Sequence, residues 1–184
     1  MLWGGFTGEL ELRSEGGETR LRGRFPYATA TALASGRNEL FAARAFAARI
    51  DSGADIFLLS GHNFEKPLAS RAAGSLDLRD GDDAMTFEAR IDGGTSWAKD
   101  FVSAHRAGLI KGLSPGFRVS PGGERIERRG DDLLRTVTAA DLFEISAVTK
   151  PAYSAAQIEA RAWGVPAKLA ATDGLHRTLN RWRA

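Results

Sequence analysis

Three polar side chains in separate parts of the chain have the types that nucleophilic attack on a carbonyl requires. Ser114 stands in a bend of small residues, Gly-Leu-Ser-Pro-Gly, that leads into an apolar strand. A serine hydroxyl becomes a nucleophile when a neighbouring base removes its proton. His62, which follows a continuous apolar run, is the candidate base, and Glu144 is the candidate acid that orients the imidazole. Together they would supply a nucleophile, a base and an orienting carboxylate.

Each of these residues also has an ordinary structural explanation. Ser114 fits a turn because proline and glycine follow it, and His62 fits a loop because Gly61 and Asn63 flank it. Glu144 fits a strand that exposes it to solvent. If Glu144 instead faces inward, it needs a partner, since an unpaired buried carboxylate is costly.

The other two histidines are weaker candidates for the base. His105 lies at the edge of the apolar face of a predicted helix over 95–108, where it is expected to be a surface or boundary residue. The same helix places Trp97 and Phe101 toward the core at helical spacing. His176 lies near the C-terminus and is given no role.

The elements that must position these residues are mostly short strands. Period-2 alternation predicts a hairpin of Phe6–Arg13 and Thr19–Phe25. An alanine-rich segment over 38–50 predicts a helix, and Asp55–Ser60 predicts a buried strand that ends just before His62. Further strands are predicted over 68–78, 84–91, 133–137 and 141–148, a Ser-Pro-Gly-Gly turn within 119–127, and a terminal helix over 153–163.

Composition limits the class of protein. The chain has 184 residues, 43% of them hydrophobic, which suits one compact domain, predicted over 1–163, with a weakly structured basic tail over 164–184. It has no cysteine and three scattered histidines, so we expect no metal site, and attack by a serine hydroxyl requires no organic cofactor. No apolar run is long enough to span a bilayer and the N-terminus lacks signal-peptide features, which favours a soluble cytoplasmic protein.

The positive charge is concentrated at the C-terminus. The chain has a net charge of +2, of which residues 155–184 contribute +3 and the preceding 154 residues −1. A uniformly basic face for nucleic acid is therefore not indicated, and no membrane partner is expected.

Three segments in a fixed order carry a resemblance to a known family. They are Ile56–His62 with Pro67-Leu68-Ala69 soon after it, Gly108–Phe117, and Leu142–Tyr153, which ends in Lys-Pro-Ala-Tyr. Over roughly residues 5–160 the chain resembles the prohead (capsid-maturation) proteases of tailed phages, which look like distant relatives of the herpesvirus assembly protease. Two departures, Asn63 after the histidine and Ala69-Ser70 after the Pro-Leu pair, affect the local loop and none of the three proposed catalytic residues.

The resemblance implies a fold and a chemistry. The fold would be α+β and mainly β, a small closed β-barrel surrounded by helices. The activity would be that of a serine endopeptidase with Ser114, His62 and Glu144 as its catalytic residues. For the oxyanion or the substrate the candidates are Gly116, Arg118, Thr149 and Lys150, of which the main-chain amides around Thr149 and Lys150 would donate directly and Arg118 through water.

The resemblance also implies partners. The substrates would be segments of the major capsid protein or of scaffold protein, and then the protease itself, inside an immature capsid in a bacterial host. The particle would be a phage, a prophage remnant or a gene transfer agent, and a homodimer would fit the herpesvirus relatives. The alternative is a non-catalytic scaffold or capsid-binding assembly module of the same fold.

Overall fold

The structure, a computed structural model, describes residues 2–3, 9–15 and 18–149. These residues form thirteen strands and two short helices. In chain order the elements are β1 (Leu2–Trp3), β2 (Glu9–Glu15), β3 (Glu18–Pro26), β4 (Thr31–Ala34), β5 (Arg37–Phe41), α1 (Ala47–Asp51), β6 (Phe57–Ser60), β7 (Asn63–Ser70), β8 (Leu76–Asp80), β9 (Ala84–Ile91), α2 (Ser96–Arg106), β10 (Gly112–Val119), β11 (Glu124–Arg129), β12 (Asp132–Val137) and β13 (Ala140–Val148).

The strands belong to three sheets. The five-stranded sheet has the order β1-β10-β13-β6-β7, with β13 and β6 parallel and its other pairs antiparallel. The hairpin sheet has the order β2-β3-β9-β8, and the third, which we name the Arg135 sheet, has the order β11-β12-β5-β4. The prediction of a mainly β, α+β domain is confirmed.

The closed barrel that the resemblance implied is wrong. Closure requires that the two edge strands of a sheet pair with each other or with a neighbouring sheet. Within the described residues, each of the three sheets ends at two edge strands, for example β1 and β7 in the five-stranded sheet. The sheets instead meet through a shared apolar core.

Aromatic side chains from different elements form the centre of that core. Phe41 of β5 contacts Phe25 of β3 and Phe117 of β10, with ring centroids 5.3 and 5.1 Å apart. Phe46, which precedes α1, lies 5.2 Å from the ring of Phe41. All four rings are buried. Because these rings come from all three sheets and the start of α1, their packing fixes the five-stranded sheet relative to the other two.

The predicted hairpin is confirmed. Strands β2 and β3 pair in antiparallel register, with Leu12 opposite Leu21. Leu21 and Phe25 are buried whereas Arg22 between them is exposed. Alternation of this kind specifies both the strand type and the face that packs on the core.

The helix predicted over 38–50 is wrong for most of its length. Residues up to Phe41 form β5, which pairs in parallel with β12, and the helix α1 begins only at Ala47. Arg44 has a positive φ of 56°, which no α-helix accommodates. Helix propensity is a weak preference, and here tertiary strand pairing overrides it.

The Arg135 sheet buries an ion cluster. Arg135 and Glu39 are 3% and 2% exposed, and the guanidinium donates to Glu39 Oε2 at 2.9 Å and to Glu124 Oε2 at 2.6 Å. The pairing satisfies charges that would otherwise be very costly to bury.

The single strand predicted over 68–78 is also wrong, because the chain turns within it. The first half belongs to β7 and the second to β8, and Gly74 between them has a φ of +68°. The predicted pairing of the second half with Ala84–Ile91 is confirmed by the β8–β9 register.

The predicted helix over 95–108 is confirmed as α2. Thr95 caps its N-terminus, its hydroxyl accepting from the amide of Ala98 at 3.3 Å. Phe101 is buried, and Trp97 Nε1 donates to the carbonyl of Pro67 at 2.9 Å, which anchors the helix on β7. Gly108, with a φ of +69°, follows the end of the helix.

The turn predicted within 119–127 is confirmed between β10 and β11, and the strands predicted over 133–137 and 141–148 correspond to β12 and β13. The predicted helix over 153–163 and the tail over 164–184 lie outside the described residues. No helix in the described part of the chain has both the length and the apolar character to cross a membrane.

Candidate active site

The candidate site is built on two adjacent inner strands of the five-stranded sheet, β10 and β13. In the antiparallel register of β10 and β13, Ser114 lies opposite Ser146 and Gly116 lies opposite Glu144. Residues opposite each other in such a pair project from the same face of the sheet. The register therefore brings Ser114, Gly116, Glu144 and Ser146 to one face, while Leu113 and Ile145 project into the core.

A β-bulge makes this arrangement possible. The register passes from Gly116 opposite Glu144 to Phe117 opposite Leu142, so Phe143 is an extra residue with no partner on β10. An extra residue shifts the alternation of its strand by one position. Consequently Leu142 and Ile145 both face the core, and Glu144 faces the other side beside Gly116.

Glu144 is fully buried and pairs with His62. Its side chain has no exposed surface, and its Oε1 lies 2.7 Å from Nδ1 of His62, whose side chain is 17% exposed. The sequence left open whether Glu144 faces solvent or a partner, and the structure brings the carboxylate and the imidazole together. A carboxylate on one ring nitrogen fixes the orientation of the imidazole and stabilises its protonated form.

His62 is held in a tight turn between β6 and β7. Gly61 and His62 are the two residues between the paired Ser60 and Asn63, and both have positive φ, 65° and 61°. Two-residue hairpin turns of this kind favour glycine or asparagine, because other side chains are strained there. Residues held in sparsely populated backbone conformations cluster at functional sites.

Ser146 connects the two members of this pair. Its hydroxyl donates to Glu144 Oε2 at 2.6 Å and accepts the main-chain N–H of His62 at 2.9 Å. The ring and the backbone of His62 are thus both tied to one carboxylate. The residue types alone did not distinguish Ser146; the available signal was a serine two residues after Glu144, between the apolar Ile145 and Ala147.

Ser114 lies beside this network and is fully buried. Its strand position opposite Ser146 implies a separation between Cβ atoms of about 4.5–5.5 Å. The structure thus places Ser114 in a strand, and the alternative explanation as a turn residue does not apply.

Gly116 leaves the space that the carboxylate of Glu144 occupies. A Cβ atom at this position would lie 2.1 Å from Oε1 of Glu144. The main chain of Gly116 is paired on both sides, with Trp3 of β1 and with Glu144. What the structure requires at this position is a residue without a side chain.

Arg118 lies two residues beyond Gly116 on the same face of β10 and is exposed. Its guanidinium carbon lies 5.5 Å from the centre of the Phe143 ring, and that of Arg49 lies 5.0 Å from the same ring. Two guanidinium groups therefore contact the ring of Phe143, the bulge residue next to Glu144, at the border of the site.

The remaining candidates lie elsewhere or beyond the described part. Thr149 is exposed immediately after β13, and Lys150 lies outside the described residues. His105 lies on α2, with its ring 6.2 Å from that of Phe101. Among the described residues, no group of three or more histidine, aspartate or glutamate side chains is arranged to hold a metal ion.

A buried carboxylate bonded to an imidazole, with a serine on the adjoining strand, is an arrangement characteristic of serine hydrolases. A family model described as the caudovirus prohead serine protease matches residues 9–168, which is most of the chain. The chain belongs to this family. No curated protein and no solved structure is significantly similar to it.

Proposed function

We propose that the protein is a serine endopeptidase that trims the major capsid protein or scaffold, and itself, during maturation of a phage-like capsid. The observation that carries this proposal is the bond of 2.7 Å between the buried Glu144 and Nδ1 of His62, formed on the same sheet face as Ser114. The family to which the chain belongs supports the reaction class.

In the proposed reaction, Oγ of Ser114 forms a bond to the scissile carbonyl carbon while His62 takes the hydroxyl proton. The C–N bond then breaks, and His62 returns that proton to the departing amine. Water, deprotonated by His62, hydrolyses the acyl-enzyme and regenerates Ser114. Glu144 keeps the imidazole oriented throughout and balances its positive charge.

The charge that develops on the carbonyl oxygen requires donors that are already in place, each worth roughly 3–4 kcal/mol. We assign this role to the main-chain amides of Thr149, which directly follows β13, and of Lys150, which lies outside the described residues. Gly116 has no side chain, and the carboxylate of Glu144 occupies the space beside it. Arg118, together with Arg49, is better placed to contact the substrate than the oxyanion, because both guanidinium groups lie over Phe143.

Confinement of the protease with its proposed substrates inside a capsid would favour cleavage. Inside an immature capsid, protease and shell subunits are held at high effective concentration, so modest affinity for an extended segment suffices. Cleavage of such segments would release contacts that hold the immature lattice.

The test is the intact mass of the full chain and of its co-expressed capsid protein. Wild type should lose terminal residues and trim the capsid protein, and Ser114→Ala should reduce both by on the order of 10⁴-fold or more. Ser103→Ala, which changes an exposed serine of α2, is the matched control and should behave as wild type. Normal trimming by Ser114→Ala refutes the assignment.

One observation favours a second function. Ser114 has no exposed surface, so a substrate carbonyl reaches it only after the face of the sheet opens. A non-catalytic scaffold or capsid-binding module would need no such opening. A full-length chain that stays intact while co-assembling with shell subunits would support this second function.

A further inference from the structure

We infer that Ser146 is a positioning residue of the active site, which acts on the catalytic base through two bonds at once. This inference rests on the proposed function and adds a fourth residue to it. The hydroxyl of Ser146 donates a hydrogen bond to Glu144 at 2.6 Å and accepts one from the main-chain N–H of His62 at 2.9 Å. Since a hydroxyl has one proton and two lone pairs, it makes both bonds without conflict.

The first bond controls the carboxylate. Glu144 has two oxygens, and Oε1 serves His62 at 2.7 Å. If Oε2 had no donor, the carboxylate could rotate about its last side-chain bond, a broad torsion with a low barrier. Ser146 fixes that rotation, and the fixed carboxylate in turn fixes the ring of His62.

The second bond controls the backbone that carries the ring. His62 has a φ of 61°, a strained conformation for a residue with a side chain. Its N–H is held by Ser146, and the neighbouring Gly61 N–H donates to the carbonyl of Ala147 at 3.1 Å. Two consecutive amides of the turn are thus tied to β13, which makes the turn a rigid extension of the sheet.

Ser146 has no exposed surface and contacts the base and its carboxylate, so its effect passes through them. It lies opposite Ser114 in the register and two residues along β13 from Glu144. The loss of its hydroxyl should leave the affinity for a ligand unchanged and slow the chemical step.

The decisive comparison is Ser146→Thr with Ser146→Val. The two variants add the same volume to the buried site and suit a strand equally well, but only threonine keeps a hydroxyl. The readout is covalent labelling by a fluorophosphonate, in which Oγ of Ser114 bonds to phosphorus, fluoride leaves and His62 accepts the proton. We expect Ser146→Val and Ser146→Ala to slow the maximal labelling rate by about 10²-fold, with half-saturation unchanged, and Ser146→Thr to restore most of it.

A double-mutant cycle separates positioning from general stability. In a Glu144→Gln background, Ser146→Ala should slow labelling by far less than 10²-fold, because the group it orients is already impaired. Equal effects in both backgrounds, or equal rates for the threonine and valine variants, would overturn the inference.

A second readout does not depend on activity. In protein with ¹⁵N-labelled histidine, the Nδ1 proton of His62 bonded to Glu144 should give a downfield NMR signal. Ser146→Val should shift or broaden it, while Ser103→Ala and Ser146→Thr should not. An unchanged signal in Ser146→Val refutes the positioning role, even if the wild type fails to label and the proposed function is itself wrong.

Discussion

Glu144 is a charged residue at a position where strand residues are normally apolar. Its two oxygens accept from His62 and Ser146, so the carboxylate is buried with partners on both sides. Breaking such a network by removing one partner leaves a buried charge uncompensated, whereas the complete network is tolerated. Burial of the Glu144 carboxylate is therefore tolerated only when His62 is paired with it.

The assignment of the base is tested by replacing each of the two candidate histidines with alanine. His62→Ala should abolish self-processing to the level of Ser114→Ala, because both remove part of one proton-transfer unit. His105→Ala should process normally, since this residue lies on α2 against Phe101. Intact mass spectrometry measures both, and the reverse pattern would transfer the role of base to His105.

The carboxylate should be less critical than the imidazole. Glu144→Gln keeps the shape of the side chain but removes its charge, so we expect a rate loss on the order of 10⁴-fold at most, with residual activity above Ser114→Ala. The labelling rate with a fluorophosphonate measures this loss. Wild-type kinetics in Glu144→Gln would remove the residue from the site.

At the scale of elements, the site depends on the fit between β10 and β13. Gly116→Ala would place a methyl group 2.1 Å from Oε1 of Glu144 and displace the carboxylate from His62. We expect processing to slow by about 10²-fold. Gly93→Ala is the matched control, because a Cβ atom there has no atom within 4 Å. Equal activity in the two variants would show that Glu144 need not hold its position.

The elements were predictable where the signal is local. Alternation specified β2 and β3, and helical spacing of apolar residues predicted α2. The bulge at Phe143 was not predictable, because an extra residue in a strand has no composition of its own and is visible only against the partner strand. Likewise β5 contains residues that suit a helix, and only its pairing with β12 decides its conformation.

The residues of the candidate site were likewise predictable only in part. The sequence, with the help of a family resemblance, led to the proposal of Ser114, His62 and Glu144, and it predicted a partner for an inward-facing Glu144, which in the structure is His62. It did not identify Ser146 as a site residue, since a serine in a strand is common and only the position of its hydroxyl distinguishes this one. The lack of barrel closure was also hidden, because it depends on which strands remain at the edges of sheets.

At the scale of the whole molecule, stability should depend on pH through Asp80. Its carboxylate accepts a hydrogen bond from the hydroxyl of Tyr27, and burial raises its pKa above the usual 3.8. The unfolded chain therefore releases this proton at lower pH than the folded one, so the free energy of unfolding falls as pH rises through that interval and remains lower above it.

The measurement is urea unfolding of wild type and Asp80→Asn between about pH 3 and 7. We expect the stability of wild type relative to Asp80→Asn to decrease as pH rises. In Tyr27→Phe the decrease should be larger, because the hydroxyl that lowers the pKa of Asp80 is lost. A difference that does not change with pH would contradict the raised pKa.

The parallel pairing of β6 with β13 joins segments that are distant in the chain, and Glu144 follows His62 by 82 residues. During translation, the imidazole emerges from the ribosome well before the carboxylate and the strand that carries it. A nascent chain thus contains the base but has nothing to orient it until β13 has been synthesised. The pairing of the carboxylate with the imidazole is therefore a late event of synthesis, reached only once the chain extends through β13.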